Sequence, residues 1–143
     1  MKNPWSSRWH FVKNYIPTGG SVIDFGCGNR EALDHITPSE YLGVDTLPGA
    51  DLVADLNHPF QLDQKFDTAL LLGVLEYLDN PEFTLNNIVS AADYFVVLSL
   101  PVKQKPQWQR AFTDASINEL LCKFFPVVEH HKHGRYILSV CKK

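Results

Sequence analysis

Residues 21–30 read Ser21-Val-Ile-Asp24-Phe-Gly26-Cys-Gly28-Asn-Arg30, a short apolar run broken by two alternating glycines. The β-branched and aromatic residues read as a buried strand. The glycines read as a turn whose main chain adopts conformations closed to other residues and lets a ligand approach closely. Ala32, Leu33 and Ile36 follow at helical spacing, with Pro38 ending that helix, and Tyr41-Leu-Gly-Val forms a second strand that closes on Asp45.

Outward from this unit the pattern continues. Asp51-Leu-Val-Ala is a brief third strand, and Phe66–Leu72 is a continuous apolar run, as in a central parallel strand covered on both faces. Trp5, Trp9, Val12 and Ile16 mark one face of an N-terminal helix that stops at Pro17-Thr-Gly-Gly. Asn80-Pro81 opens the next helix with proline at its first position, and Leu85, Ile88, Val89 and Ala92 give it a buried stripe. Tyr94–Ser99 is a further strand. Ser116-Ile-Asn-Glu119 has capping-box form before the stripe Ile117, Leu120, Leu121 and Phe124. Val127–His131 and Tyr136–Cys141 end the sequence as two strands joined across Gly134. The alternation predicts an α/β fold: a doubly wound, mostly parallel seven-stranded sheet with an antiparallel C-terminal edge hairpin. Ligands of such sheets sit beyond the carboxyl ends of the strands, where strand order reverses.

With 143 residues, one domain spanning 1–143 is expected, its first 20 residues a helical segment capping the site. The 45% hydrophobic and 20% charged content is that of an ordinary globular domain. The longest apolar stretch, Ala69–Leu75, is far short of the ~20 residues of a membrane span, and no secretory h-region opens the sequence. Three scattered cysteines (Cys27, Cys122 and Cys141) form no disulfide or zinc framework and suit a reducing cytoplasm. A net charge of −3 gives no basic footprint, which disfavours nucleic acid.

Asp45 stands where an acid can accept hydrogen bonds from both hydroxyls of a ribose. The dinucleotide fingerprint requires a third glycine where Glu31 stands, and a glutamate in a first helical turn repels pyrophosphate. No P-loop is present. A ribose acid without a phosphate site points to a nucleoside that lacks phosphates.

These residues resemble the class I S-adenosylmethionine-dependent methyltransferases, in a small, Rossmann-like, type 11-like form. The resemblance rests on Asp24, Gly26 and Gly28 for the first motif, with Arg30 in the place of its third glycine. It implies S-adenosyl-L-methionine as cofactor. The turn Gly26-Cys27-Gly28 would cradle the methionine part near Asp24, and Asp45 would take the ribose, with Thr46 and Leu47 beside the adenine. Asp55 and Leu56 resemble the third motif, which meets the adenine edge. Phe66–Leu78 is similar to the fourth-strand motif, with the Leu72 carbonyl and Gly73 toward the methionine ammonium and Tyr77 near a position where the family commonly has histidine. Arg30 has three readings: pairing with the cofactor carboxylate, narrowing the pocket, or pointing to solvent.

Methyl transfer needs alignment above all, helped by a general base where the acceptor must lose a proton. Tyr77, then Glu76, are the candidate catalytic groups after the fourth strand, with His10 and Tyr15 on the N-terminal segment. Lys103, Lys105 and Trp108, after the fifth strand, could shape an acceptor pocket and draw in an anion. Trp5 and Trp9 read as packing against the sheet and Cys27 as a small filler. His130, His131 and His133 do not make a metal site: on a strand His131 and His133 share one face and His130 the other. The expected function is methyl transfer to an oxygen or nitrogen of a small molecule. The alternative is a weak or silent adenosyl-binding module acting with a partner protein. Little of the sequence remains for substrate binding, so an open acceptor site, a homodimer or a partner chain that completes the pocket is expected; a membrane is not.

Overall fold

The computed structural model describes residues 7–103 and 105–143, so Trp5 lies outside the described residues. Seven strands form one sheet in the order β3-β2-β1-β4-β5-β7-β6: β1 (Ser21–Phe25), β2 (Glu40–Asp45), β3 (Leu52–Val53), β4 (Phe66–Leu72), β5 (Ala92–Ser99), β6 (Val127–His133) and β7 (Tyr136–Lys142). The first five are parallel. β7 inserts between β5 and β6 and runs antiparallel to both, because the tight turn at Gly134 (φ +62°) reverses the chain. This is the sheet the sequence predicts. Among the described residues no helix is long and apolar enough to cross a membrane.

Helical cover is thinner than the spacing suggests. The helices are α1 (Trp9–Val12), α2 (Pro81–Ile88) and α3 (Asp114–Cys122). The expected helix after the glycine turn is a single 3-10 turn, Glu31–Asp34, entered through Arg30 in the left-handed region at φ +66°. In that turn Ala32 is buried while Leu33 turns out to solvent. Ala92 begins β5 rather than closing the stripe of α2. The capping box of α3 lies three residues earlier than expected, between Thr113 and Ser116.

One sheet face packs Ile23, Phe25, Leu71, Phe95 and Val97 against Leu85 and Ile88 of α2 and Ile117 and Leu121 of α3. The opposite face packs Leu70, Leu72, Val96 and Leu138 against Trp9, Val12 and Ile16. Burying each such side chain contributes about 1.5–3 kcal/mol, which explains how so short an N-terminal segment holds its place.

Candidate functional site

A cavity of about 680 Å³ opens at the carboxyl ends of β1, β2 and β4. The sheet order makes this the point where connections run off in opposite directions, β1 to β2 on one flank and β4 to β5 on the other. All eleven residues expected at a cofactor line it: Asp24, Gly26, Cys27, Gly28, Asp45, Thr46, Leu47, Asp55, Leu56, Leu72 and Gly73.

The glycine turn is built on the neighbouring strand. Both Gly26 N and Cys27 N donate to Val44 O, at 2.7 and 3.1 Å. Gly26 has φ +75°, and a Cβ there would meet Val74 Cγ2 at 2.5 Å. Gly28 has φ +56°, and a Cβ there meets no atom within 4 Å. Asp45 fixes the turn from the other side. Its Oδ2 accepts from Gly28 N at 2.8 Å, and its Oδ1 accepts from Thr46 N at 2.7 Å and Leu47 N at 3.3 Å. Oδ2 carries this one bond and keeps acceptor capacity for a ligand hydroxyl.

Asp24 is 5% exposed. Burial pushes its carboxyl up to about 6, opposed by the hydrogen bond from Tyr41 and by the charge of Arg8. Tyr41 Oη donates to Asp24 Oδ2 at 2.7 Å. The Cys27 thiol is pushed up to about 11 by burial and the nearby carboxylates. Its Sγ sits against Gly43 of β2, where a Cβ would come within 2.8 Å. That is a filler, not a nucleophile.

Arg30 does not line the cavity. Its Nη1 pairs with Asp51 Oδ1 at 3.3 Å, and its guanidinium lies 5.8 Å from the Tyr41 ring centroid. The left-handed backbone turns it toward Asp51 and the Tyr41 ring rather than into the cavity, which does not favour the cofactor-carboxylate reading. A different arginine enters the cavity. Arg8, just before α1, lines it and donates from Nη1 to Leu72 O at 3.2 Å. Burial lowers its ordinary value, while the charges of Asp24 and Glu31 act the other way. Sequence reasoning missed Arg8; its one signal was a cation placed directly before the buried Trp9.

Of the three catalytic candidates only Tyr77 lines the cavity. Glu76 is a correction: it is 0% exposed, with Oε2 accepting from Leu100 N at 3.2 Å and Oε1 without a hydrogen-bond partner. Burial pushes its carboxyl up to about 7. Its side chain therefore braces the chain after β5 from inside. His10 is a second correction, because α1 turns it out to solvent. Tyr15 faces β6 instead, with its hydroxyl 2.9 Å from His133 Nε2. His131 packs against Tyr15 as well, whereas His130 lies 2.8 Å from both Ser139 Oγ and Asn118 Oδ1. Trp9 packs against the sheet and also walls the cavity.

After β5, Lys105 and Trp108 line the cavity and Lys103 is exposed away from it. The Tyr77 and Trp108 rings meet edge to face at 5.8 Å, with Lys105 Nζ 5.9 Å from the Tyr77 centroid. Sequence position gave no hint that Asn57 joins this wall. Its Oδ1 accepts from Asp79 N at 2.9 Å, tying the turn after β3 to the one after β4.

Comparison with known proteins agrees with this geometry. A family model described as a methyltransferase domain matches residues 1–134. The bifunctional methionine biosynthesis protein MetXA/MetW of Rhodopirellula baltica is 28% identical over 109 residues, a match covering 60% of this chain and 18% of that protein. The small RNA methyltransferase HEN1 superposes with a TM-score of 0.81 at 13% identity, covering 100% of this chain and 26% of that one. The N-methyltransferase NodS of Bradyrhizobium japonicum, solved with S-adenosyl-L-homocysteine, gives 0.72 at 14% identity, covering 99% and 89%. The chain belongs to the methyltransferase-domain family and has the class I, Rossmann-like fold of S-adenosylmethionine-dependent methyltransferases.

Proposed function

We propose that residues 1–143 act as a single S-adenosylmethionine-binding unit that transfers a methyl group to an oxygen or nitrogen of a small molecule. The observation that carries this is the convergence of the glycine turn, the oriented Asp45 and the Leu72–Gly73 corner on one cavity. The residues fit the cofactor: Asp45 offers a carboxylate for ribose, Thr46 and Leu47 flank an adenine, and open space lies at Gly28 for the methionine part. S-adenosylmethionine supplies, when bound, a methyl already activated on a sulfonium. The chain's task is then alignment, worth up to ~7–11 kcal/mol. Trp9 and Arg8 close one side of the cavity and Tyr77 orients the acceptor on the other. The buried free thiols Cys27 and Cys141 suit a reducing cytoplasm.

The test is binding and then turnover. At 100 times its Kd a ligand stabilises by ~2.7 kcal/mol, so S-adenosylhomocysteine raises the melting temperature and NAD does not. No shift with either adenosyl ligand defeats the proposal. A second reading, a silent adenosyl-binding module that supports a partner, is favoured by the relative in which the matched stretch is 18% of a larger bifunctional protein. Tight binding with no transfer of labelled methyl to any acceptor selects it.

A further inference from the structure

We infer that the acceptor is a small planar carboxylate, methylated to its ester, with Lys105 as its anchor. This rests on the methyltransferase reading and deepens it. The sheet order sets the two ends of the cavity apart, since Asp45 ends β2 on one flank of β1 and Tyr77 follows β4 on the other. A ligand whose ribose lies at Asp45 and whose methionine part lies over the glycine turn leaves the Tyr77 end for the acceptor. That end is an aromatic corner, the Tyr77 and Trp108 rings at 5.8 Å, with the Lys105 ammonium over Tyr77. It is rigidly held: Gln109 N donates to Glu76 O at 2.8 Å, Leu100 N to the Glu76 carboxylate, and the Arg110 guanidinium to Leu78 O.

Charge and proton chemistry then select the acceptor. Among the described residues, the wall contributed after β4 and β5 (Val74, Tyr77, Leu78, Lys105, Gln107 and Trp108) holds neither carboxylate nor imidazole. No carboxylate or imidazole stands there to take a proton from an ammonium or an alcohol; the cavity's carboxylates, Asp24, Glu31, Asp45 and Asp55, come from the chain in and after β1, β2 and β3. A cationic amine is repelled by Lys105 and by the sulfonium. A carboxylate is attracted by both and arrives already ionised. Its oxygen forms a bond to the methyl carbon as the carbon–sulfur bond breaks, and that electron pair stays on sulfur. The products are a neutral ester and a neutral thioether, and no proton moves.

The experiment titrates benzoate, benzamide and benzylamine, followed by tryptophan fluorescence, into the chain saturated with S-adenosylhomocysteine. Benzoate binds and benzylamine does not. Lys105→Glu weakens benzoate by at least about tenfold, Lys105→Arg keeps it, and Lys103→Glu, outside the cavity, changes nothing. With labelled S-adenosylmethionine the methyl on benzoate is released as methanol in alkali. Benzylamine binding as well as benzoate, no benzoate binding to the loaded chain, or indifference to Lys105→Glu overturns the inference. Failure of S-adenosylhomocysteine itself to bind overturns the parent reading instead.

Discussion

Asp45 Oδ2 accepts a hydrogen bond from Gly28 N at 2.8 Å, so the carboxylate at the end of β2 also holds the glycine turn that follows β1. The residue read as a ligand for ribose is thus a structural clasp before any ligand arrives. Asp45→Asn keeps one acceptor oxygen for two sets of N–H donors and points an amide N–H₂ at one of them. Hydrogen bonds to charged groups contribute about 1.5–3 kcal/mol. The variant loses stability on that scale together with S-adenosylhomocysteine affinity, as calorimetry and thermal melting will measure. Full affinity in Asp45→Asn contradicts the assignment.

The two glycines of the turn separate stability from binding. Gly26→Ala adds left-handed strain to a collision with Val74, a cost of about 3 kcal/mol, and Val74→Ala in the same chain relieves the collision but not the strain. Gly28→Ala incurs only the strain, about 1 kcal/mol, because its Cβ enters open space. Its larger loss is in S-adenosylhomocysteine affinity. Denaturant unfolding and titration of both variants check the contrast.

Arg30→Gly leaves binding intact. The partly exposed pair with Asp51 contributes about 0–1 kcal/mol. Glycine relieves the strain at φ +66°, while adding about 0.4–1 kcal/mol of unfolded-state entropy. These changes offset each other. The expected outcome is stability within about 1 kcal/mol of the parent and an unchanged titration curve. A large loss of affinity would return Arg30 to the site.

Glu76 makes stability depend on pH. Burial favours its protonated form, so its folded value of about 7 stands above the ordinary 4.5. Between these values the unfolded chain releases a proton that the folded chain keeps. Stability therefore falls as pH rises through that window, by roughly 3 kcal/mol in all, and the loss is complete above it. Glu76→Gln retains an acceptor for Leu100 N and carries no charge. It should match the parent near pH 4.5 and exceed it at pH 8 in urea unfolding. Equal pH slopes for the two proteins would show that the carboxyl is not the source.

The lone clash with the family's usual first motif proves informative, since Arg30 in the third glycine's place is accommodated by turning out of the cavity toward Asp51. The lining of the cavity by all eleven expected residues reflects how local these features are. A strand, a glycine turn and an acid at a strand end are fixed by nearest neighbours and by alternation, and those are written in the sequence. The helix after the turn was not legible, because the left-handed Arg30 shortens it and no periodicity reports a backbone angle.

What the sequence alone determined is therefore the sheet and the glycine-turn side of the cavity, where each residue's placement follows from its position along one strand or turn. Tertiary structure decided the rest. Glu76 and Tyr77 are neighbours in a 3-10 turn whose successive side chains point ~120° apart. Only the packing of the chain after β5 determines that Tyr77 faces the cavity and Glu76 the interior. Arg8 reaches Leu72 across 64 positions of sequence because Trp9 and Val12 bury on the sheet beside it. Contacts of that range are set by which apolar surfaces meet, and no local spacing encodes them.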